Sequence, residues 1–470
     1  MGTNWQPELT DTAAPKYKAL MQAIRTGIDN HSLAPGDKLP PVRDLAWRLG
    51  ITPGTVARAY SGLTDDGTLV AEVGRGTFVA EPKSVSHDDL IPIEADSIEH
   101  NSDGDGYAVN MISPHLPSVG QARLIRQLMA QIAEDPPSGV MHYPSRRNMQ
   151  PARAAAAAFL LRAPLGRFTE DDVVLAHGGQ NAIILIMQTI LCGRRPTVLV
   201  EELCYPGFRR AADLMRAEVI PVAMDDHGLR PDALEAAATK HQAQMLFTSA
   251  EVHNPTCLFT PAERRDEVVE VARRCDLQIL EDDCYRIGPS QAPAYRMLAP
   301  ERGWYVASLS KSLTPALRVG FALAPEGQSM ALRRAAESSF FGLATPISDL
   351  IAALLTHDRL DELMNAVRTR SGDYIQAALN VLGGHDVKWR KDVPFLWLTL
   401  PPGWRTSAFC QAAAEQGVQV RSAEDFASRD AASPHAVRMA VNAGVSLASY
   451  EAAMQRLRRL LDNPPEGIGV

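Results

Sequence analysis

The chain is 470 residues long, 46% apolar and 22% charged, with a formal net charge of −8. That length exceeds one ordinary core and predicts two or three domains, and the charge excludes a protein that coats nucleic acid indiscriminately. No apolar run reaches the length of a membrane span, and the opening "MGTNWQPELTD" lacks the pattern of a secretory signal, so a cytoplasmic protein is expected.

In chain order, residues 13–80 form the first predicted unit. "YKALMQAIRTGI" repeats Leu20, Ile24 and Ile28 at helical spacing, and "PPVRDLAWRLG" predicts a short helix that stops at Gly50. Thr52 can cap and Pro53 open a third helix, "PGTVARAYSGLTDDG", whose inner stripe is Val56, Tyr60 and Leu63. "TLVAEVGRGTFVA" then reads as a hairpin with Gly74-Arg75-Gly76 at its tip. Three helices and a hairpin in this order predict a winged helix-turn-helix. Its third helix would offer Thr52, Thr55 and Arg58 to the major groove, Arg43 would grip a phosphate, and Arg75 would sit at the wing tip.

This stretch resembles the DNA-binding domain of the GntR family of bacterial regulators, through "GDKLPPVRDLAWRLGITPGTVARAY" followed by "GRGTFV". The resemblance implies double-stranded operator DNA as a partner.

Residues 81–106, "EPKSVSHDDLIPIEADSIEHNSDGDG", are acidic, lack aromatics and predict a flexible linker. From 107 to 465, helical patterns alternate with the β-rich runs "TVLVEE", "EVIPVA", "QMLFTSA", "LQILEDD" and "WYVASLS". That alternation predicts βα units around a mostly parallel sheet with helices on both faces. "TPAERRDEVVEVARRC" adds a helix with an expected capping box from Thr260 to Glu263.

The strand ends carry a coherent set of chemistries. Lys311 follows "WYVASLS", with Ser308, Ser310 and Arg318 around it in "SLSKSLTPALRVG". An amine, two hydroxyls and a positive fork suit an aldehyde cofactor bearing a dianionic phosphate. "AHGGQNAIILIMQTI" places Gly179 and Gln180 at a helix start, where backbone N–H groups can meet the same phosphate. Asp282 in "LQILEDDCY" is a buried-carboxylate candidate for a protonated pyridine nitrogen. Tyr285 and Asn254 can bond the ring's phenolic oxygen, and Tyr205 offers a flat face to cover it. Together they point to pyridoxal 5′-phosphate (PLP).

The segment from about 107 to 460 resembles fold-type I PLP-dependent aminotransferases, through "HGGQNA", "CYPG", "HNPT", "EDDCY", "SLSKSLTPALRVG" and "VRMAVNAG". The resemblance implies Lys311 as the Schiff-base lysine and Asp282 as the pyridinium partner. It also implies Arg438 as the clamp for an effector carboxylate and Tyr143 as a residue reaching a partner subunit's phosphate, hence a homodimer. Two positions depart from the family's glycines: Cys257 after "NPT" and Asn148 five residues after Tyr143.

A GntR-type reader joined to an aminotransferase-like body is the architecture of the MocR subfamily of regulators. The expectation is a PLP-dependent regulator that senses an amino acid or related amine through an external aldimine. The alternative is an active aminotransferase with a DNA-binding appendage. Six cysteines scattered without a C-x-x-C pair suit neither a metal site nor a disulfide framework.

Overall fold

The computed structural model describes residues 5, 7, 15–30, 32–65, 68–72, 76–80, 109–428 and 433–464. The chain divides into two compact units, Met1–Ile91 and Pro92–Val470. The expected linker, 81–106, lies outside the described residues.

In the first unit, α1 (Lys16–Asp29), α2 (Val42–Leu49) and α3 (Pro53–Asp65) precede a hairpin of β1 (Leu69–Glu72) and β2 (Gly76–Val79). Gly50 ends α2 in the left-handed conformation, φ 61°, where a side chain would be strained. Two residues on, the Thr52 hydroxyl accepts from the Thr55 N–H at 3.3 Å and starts α3. Leu20, Ile24, Leu45, Val56, Tyr60 and Leu63 meet Leu69 and Val79 in one core. The buried Tyr60 hydroxyl is satisfied by the Pro40 carbonyl at 2.9 Å. β1 and β2 pair antiparallel from Leu69–Val79 to Glu72–Gly76. The winged helix-turn-helix is therefore as expected.

The second unit is built on a seven-stranded sheet. Its order is Val173–Ala176, Gly320–Leu323, Gly303–Ser308, Gln278–Asp282, Met245–Thr248, Thr197–Glu201 and Glu218–Val222. Gly320–Leu323 runs antiparallel to both neighbours, and the remaining pairings are parallel. Alternate residues of a strand serve different cores. Val173, Leu175, Tyr305 and Phe321 pack in one, while Val174, Ala176, Trp304, Val306 and Ala322 pack in the other. Both faces are thus covered by helices, which is why these strands read as continuous apolar runs.

A smaller antiparallel sheet follows, ordered Val387–Lys388, Phe395–Thr399, Ala436–Ala440, Arg421–Ser422. It packs against the helices Leu360–Leu382 and Leu447–Asp462 through Leu396, Leu398, Tyr374, Tyr450 and Leu457. Among the described residues no helix is long and apolar enough to cross a membrane.

The capping box expected at Thr260 does not form. Pro261 stands at the N-cap of Ala262–Arg274, and no side chain caps it. The Thr260 hydroxyl turns instead to Gly228, where a Cβ would lie 2.6 Å from it.

Candidate functional site

Parallel strands end at a common edge, and the antiparallel strand begins there. Ser308 pairs with Gly320, and Gly320 with Ala176, so the loops after these positions converge. Gly178, Gly179, Tyr205, Asn254, Asp282, Ser308, Lys311 and Arg318 all follow or flank strand ends at this edge, the usual place for a ligand in an α/β sheet.

Lys311 is half-buried, its Nζ 5.2 Å from the centre of the Tyr285 ring. Ser308 Oγ lies 3.0 Å from Ser310 Oγ and 3.0 Å from the Val319 carbonyl. Arg318 takes a left-handed backbone, φ 48°, and its guanidinium lies against Gly178, where a Cβ would sit 2.7 Å from Nη2. A Cβ on Gly179 would meet Cys284 Sγ at 2.6 Å, and one on Gly320 would meet the Gly178 backbone at 2.5 Å. The helix Gly178–Ile190 thus begins in a cradle that only glycines permit, with a guanidinium at its mouth. The Gln180 side chain is committed elsewhere, Nε2 donating to the Gly207 carbonyl at 2.7 Å, so its backbone N–H is what it can offer a phosphate. Tyr205 folds back over Gly207, whose missing Cβ would lie 2.3 Å from the ring.

The two adjacent aspartates have different partners. Asp283 accepts from Arg286 Nε at 2.6 Å and from the Tyr305 hydroxyl. Asp282 sits on the strand face of Leu280, toward the helix Gly178–Ile190, and accepts from the Cys284 N–H at 3.0 Å. Burial, with Asp282 beside it, pushes the Cys284 thiol well up.

Asn254 and Arg438 join the two sheets. Arg438, fully buried on Ala436–Ala440, donates Nη1 to Asn254 Oδ1 at 2.7 Å and Nη2 to the Ile112 carbonyl. Its Cζ lies 5.0 Å from the Phe426 ring centre, 5.4 Å from Phe395 and 6.0 Å from Tyr285. Asn254 Nδ2 is buried with no partner among the described residues. A donor left in this way, a glycine cradle and a buried carboxylate fit a phosphorylated pyridine aldehyde.

Sequence reasoning missed His115, Cys284 and the Ile112 carbonyl. His115 lies close enough to Lys311 that burial, and then the lysine's charge, lower its pKa. Cys284 had a signal, standing between Asp282 and Tyr285. Tyr143 is not brought to the others: it is 85% exposed, its ring 6.3 Å from Phe341. Asn148, where the family has glycine, ties this loop by accepting from the Ser145 N–H at 2.6 Å and donating to the Tyr143 carbonyl at 3.3 Å. Cys257 adopts φ 63°, a glycine-like conformation, with its thiol 3.4 Å from the Phe395 carbonyl.

In the first unit, Arg43 is exposed in the first turn of α2. Thr52 is exposed and its hydroxyl lies 2.9 Å from that of Thr55. The Arg58 guanidinium lies over the Tyr17 ring, 4.2 Å from its centre. Arg75 lies outside the described residues. Lys38, which sequence reasoning passed over, bridges to Phe78 of the wing.

The molecule is thus a winged helix-turn-helix reader on the same chain as an aminotransferase-fold body. Residues 118–457 match the family model "Aminotransferase class I and II", and residues 16–79 match "Bacterial regulatory proteins, gntR family". The chain belongs to the aminotransferase class I and II family, with a GntR-family domain ahead of it in the MocR-type architecture. It is 29% identical to the HTH-type transcriptional regulator YdeF of Bacillus subtilis, over 98% of this chain and 97% of that one. It is 30% identical to the HTH-type transcriptional regulator TauR of Rhodobacter capsulatus, over 65% of this chain and 67% of that one. The α-aminoadipate aminotransferase LysN of Thermus thermophilus, solved with N-(5′-phosphopyridoxyl)-L-leucine, shares the fold. Its TM-score is 0.66 at 22% identity, covering 76% of this chain and 92% of that one.

Proposed function

We propose that this chain is a PLP-dependent transcriptional regulator whose large unit senses an amino compound and whose small unit reads operator DNA. The observation that carries the reading is the joining of Lys311, Tyr285, Asn254 and Arg438 into one cluster, on a chain that also carries a winged helix-turn-helix. PLP, when bound, supplies an aldehyde that captures amines and a ring that draws electrons.

Lys311 provides the anchoring amine. Asp282 holds a proton at the ring nitrogen, and Asn254 and Tyr285 bond the ring oxygen. Ser308, Ser310, Arg318 and the backbone N–H groups of Gly179 and Gln180 take the phosphate, and Tyr205 covers the ring. With PLP held there, an effector amine would exchange with the Lys311 amine at the aldehyde, freeing the lysine, while its acid group would meet Arg438, a planar fork suited to carboxylates. Arg43, Thr52, Thr55, Arg58 and Arg75 contact the operator. The regulator acts as a cytoplasmic homodimer, and the 85% exposure of Tyr143 suits a side chain that serves the partner subunit's site.

The experiment titrates purified protein with PLP and follows the visible absorption band, then adds candidate amines and measures operator affinity. A band that amines shift, together with a changed operator affinity, is expected. Sustained amino transfer to a keto acid without operator binding would make the chain an enzyme instead.

A further inference from the structure

Residues 109–115 are the first described segment after the expected linker, and they run beside residues 418–419 and 440–443. Val109–Asn110 pairs in parallel with Val418–Gln419. The Met111 N–H donates to the Gln419 carbonyl at 2.8 Å, and the Met111 carbonyl accepts from the Ala440 N–H at 2.8 Å. Further on, the His115 N–H donates to the Val441 carbonyl at 2.9 Å, and its carbonyl accepts from the Ala443 N–H at 3.0 Å. Asn442 Nδ2 also donates to the Asn110 carbonyl at 2.9 Å.

Ile112 breaks this ladder. Its N–H donates to the Asn110 side-chain oxygen at 2.9 Å, a local Asx turn that swings the peptide out of register. The carbonyl so released accepts from Arg438 Nη2. The next residue, Ser113, is buried, and its hydroxyl has no partner among the described residues. His115 completes the segment beside Lys311. One short strap therefore touches the guanidinium at one end and the neighbourhood of the lysine at the other.

Arg438 is fully buried, and two of the acceptors that it holds, Asn254 Oδ1 and the Ile112 carbonyl, are neutral. A carboxylate makes a charge-assisted hydrogen bond roughly twice as strong as a neutral carbonyl does, and can engage a guanidinium by both oxygens. Phe395 and Phe426 flank the guanidinium, so a newcomer competes with a bound acceptor for a fixed donor.

We propose that the Ile112 carbonyl holds the effector's place on Arg438 in the ligand-free protein. An acid group on the effector displaces it, and the strap 109–115 shifts with it. Because that strap continues directly into residues 81–108, effector occupancy reaches the DNA-reading unit through the chain itself. The differential contact required of any switching ligand is then the exchange of a neutral acceptor for a charged one. This inference rests on the reading of Arg438 as the acid-group site. It also restricts the effector class: an amine lacking an acid group loads the lysine site and leaves the strap in place.

The test is amide hydrogen exchange on the full-length, PLP-loaded protein, read in peptides covering 109–115 and 436–444. Propionate supplies an acid without an amine, and propylamine an amine without an acid. Propionate is expected to speed exchange in both peptides about tenfold, the equivalent of one charge-assisted hydrogen bond, with the absorption band unmoved. Propylamine is expected to move the band and leave exchange alone. Arg438→Gln should abolish the propionate response and fix operator affinity at one value, and Arg438→Lys should restore part of both. Exchange that ignores propionate, or that rises equally with propylamine, overturns the strap. A missing absorption band would sink the cofactor reading, while the propionate arm still decides the strap.

Discussion

Arg438 Nη1 donates to Asn254 Oδ1 at 2.7 Å, tying the loop after one strand of the large sheet to the middle of the small sheet. A guanidinium only donates, so this bond fixes which end of the Asn254 amide is oxygen and leaves Nδ2 as the buried donor. Asn254→Asp keeps an acceptor for Arg438 but removes that donor. PLP affinity should fall about tenfold, the worth of one hydrogen bond, with the melting temperature unchanged or raised. Absorbance titration and thermal melts read the two effects separately.

Gly320 and Gly372 make opposite predictions from the same substitution. A Cβ on Gly320 would stand 2.5 Å from the Gly178 carbonyl carbon, backbone against backbone, where nothing can give. Gly320→Ala should destabilise the large unit by about 3 kcal/mol and weaken PLP binding with it. Gly372 lies within the helix Leu360–Leu382 with open space at its Cβ position. Gly372→Ala should stabilise by up to about 1 kcal/mol in denaturant unfolding.

Stability should depend on pH from two sides. Burial pushes Glu201, whose carboxyl accepts from the Thr248 hydroxyl at 2.6 Å, up to about 8. Burial also lowers His253 to about 4. Although His253 Nε2 lies 3.5 Å from Glu201, both are therefore held neutral near pH 7, and the contact is no ion pair there. Glu201 binds its proton more tightly folded than unfolded, so its contribution is full below 4.5 and drains as pH rises through about 8. His253 contributes fully above 6.5 and loses that contribution as pH falls through about 4. Glu201→Gln should flatten the alkaline limb, removing a slope of up to about 1.4 kcal/mol per pH unit. Unchanged steepness in unfolding midpoints from pH 6 to pH 9 would count against it.

The DNA-reading unit makes its own prediction. Arg43 is exposed in the first turn of α2, and the proposed reading has it contact an operator phosphate. Arg43→Ala should weaken binding uniformly across operator variants and lower the slope of log affinity against log salt by about one. A loss confined to one operator position would show base reading instead.

The predicted winged unit and the main parallel strands match the structure because helical period, apolar runs and glycine stops are local signals. Gly50 ended α2 as its left-handed φ demands, and Asp282 stood at the end of its strand. The antiparallel strand Gly320–Leu323 went unread: its apolar run merges with the lysine motif, and its direction depends on pairing with distant strands. Pro261 displaced Thr260 from the cap because proline's own backbone geometry already suits that position. The Ile112 carbonyl was invisible for a deeper reason. Every residue carries a carbonyl, and Arg438 lies 326 positions away.

In the proposed regulator Lys311 anchors the cofactor, and that anchorage governs the operator grip. Borohydride reduction of the PLP-loaded protein, followed by peptide mass spectrometry, tests it most directly. A phosphopyridoxyl adduct on Lys311 is expected and, in Lys311→Ala, neither the adduct nor a change of operator affinity at amine concentrations that saturate the response of the unsubstituted protein. An unmodified Lys311, or an operator response that survives Lys311→Ala intact, would contradict it.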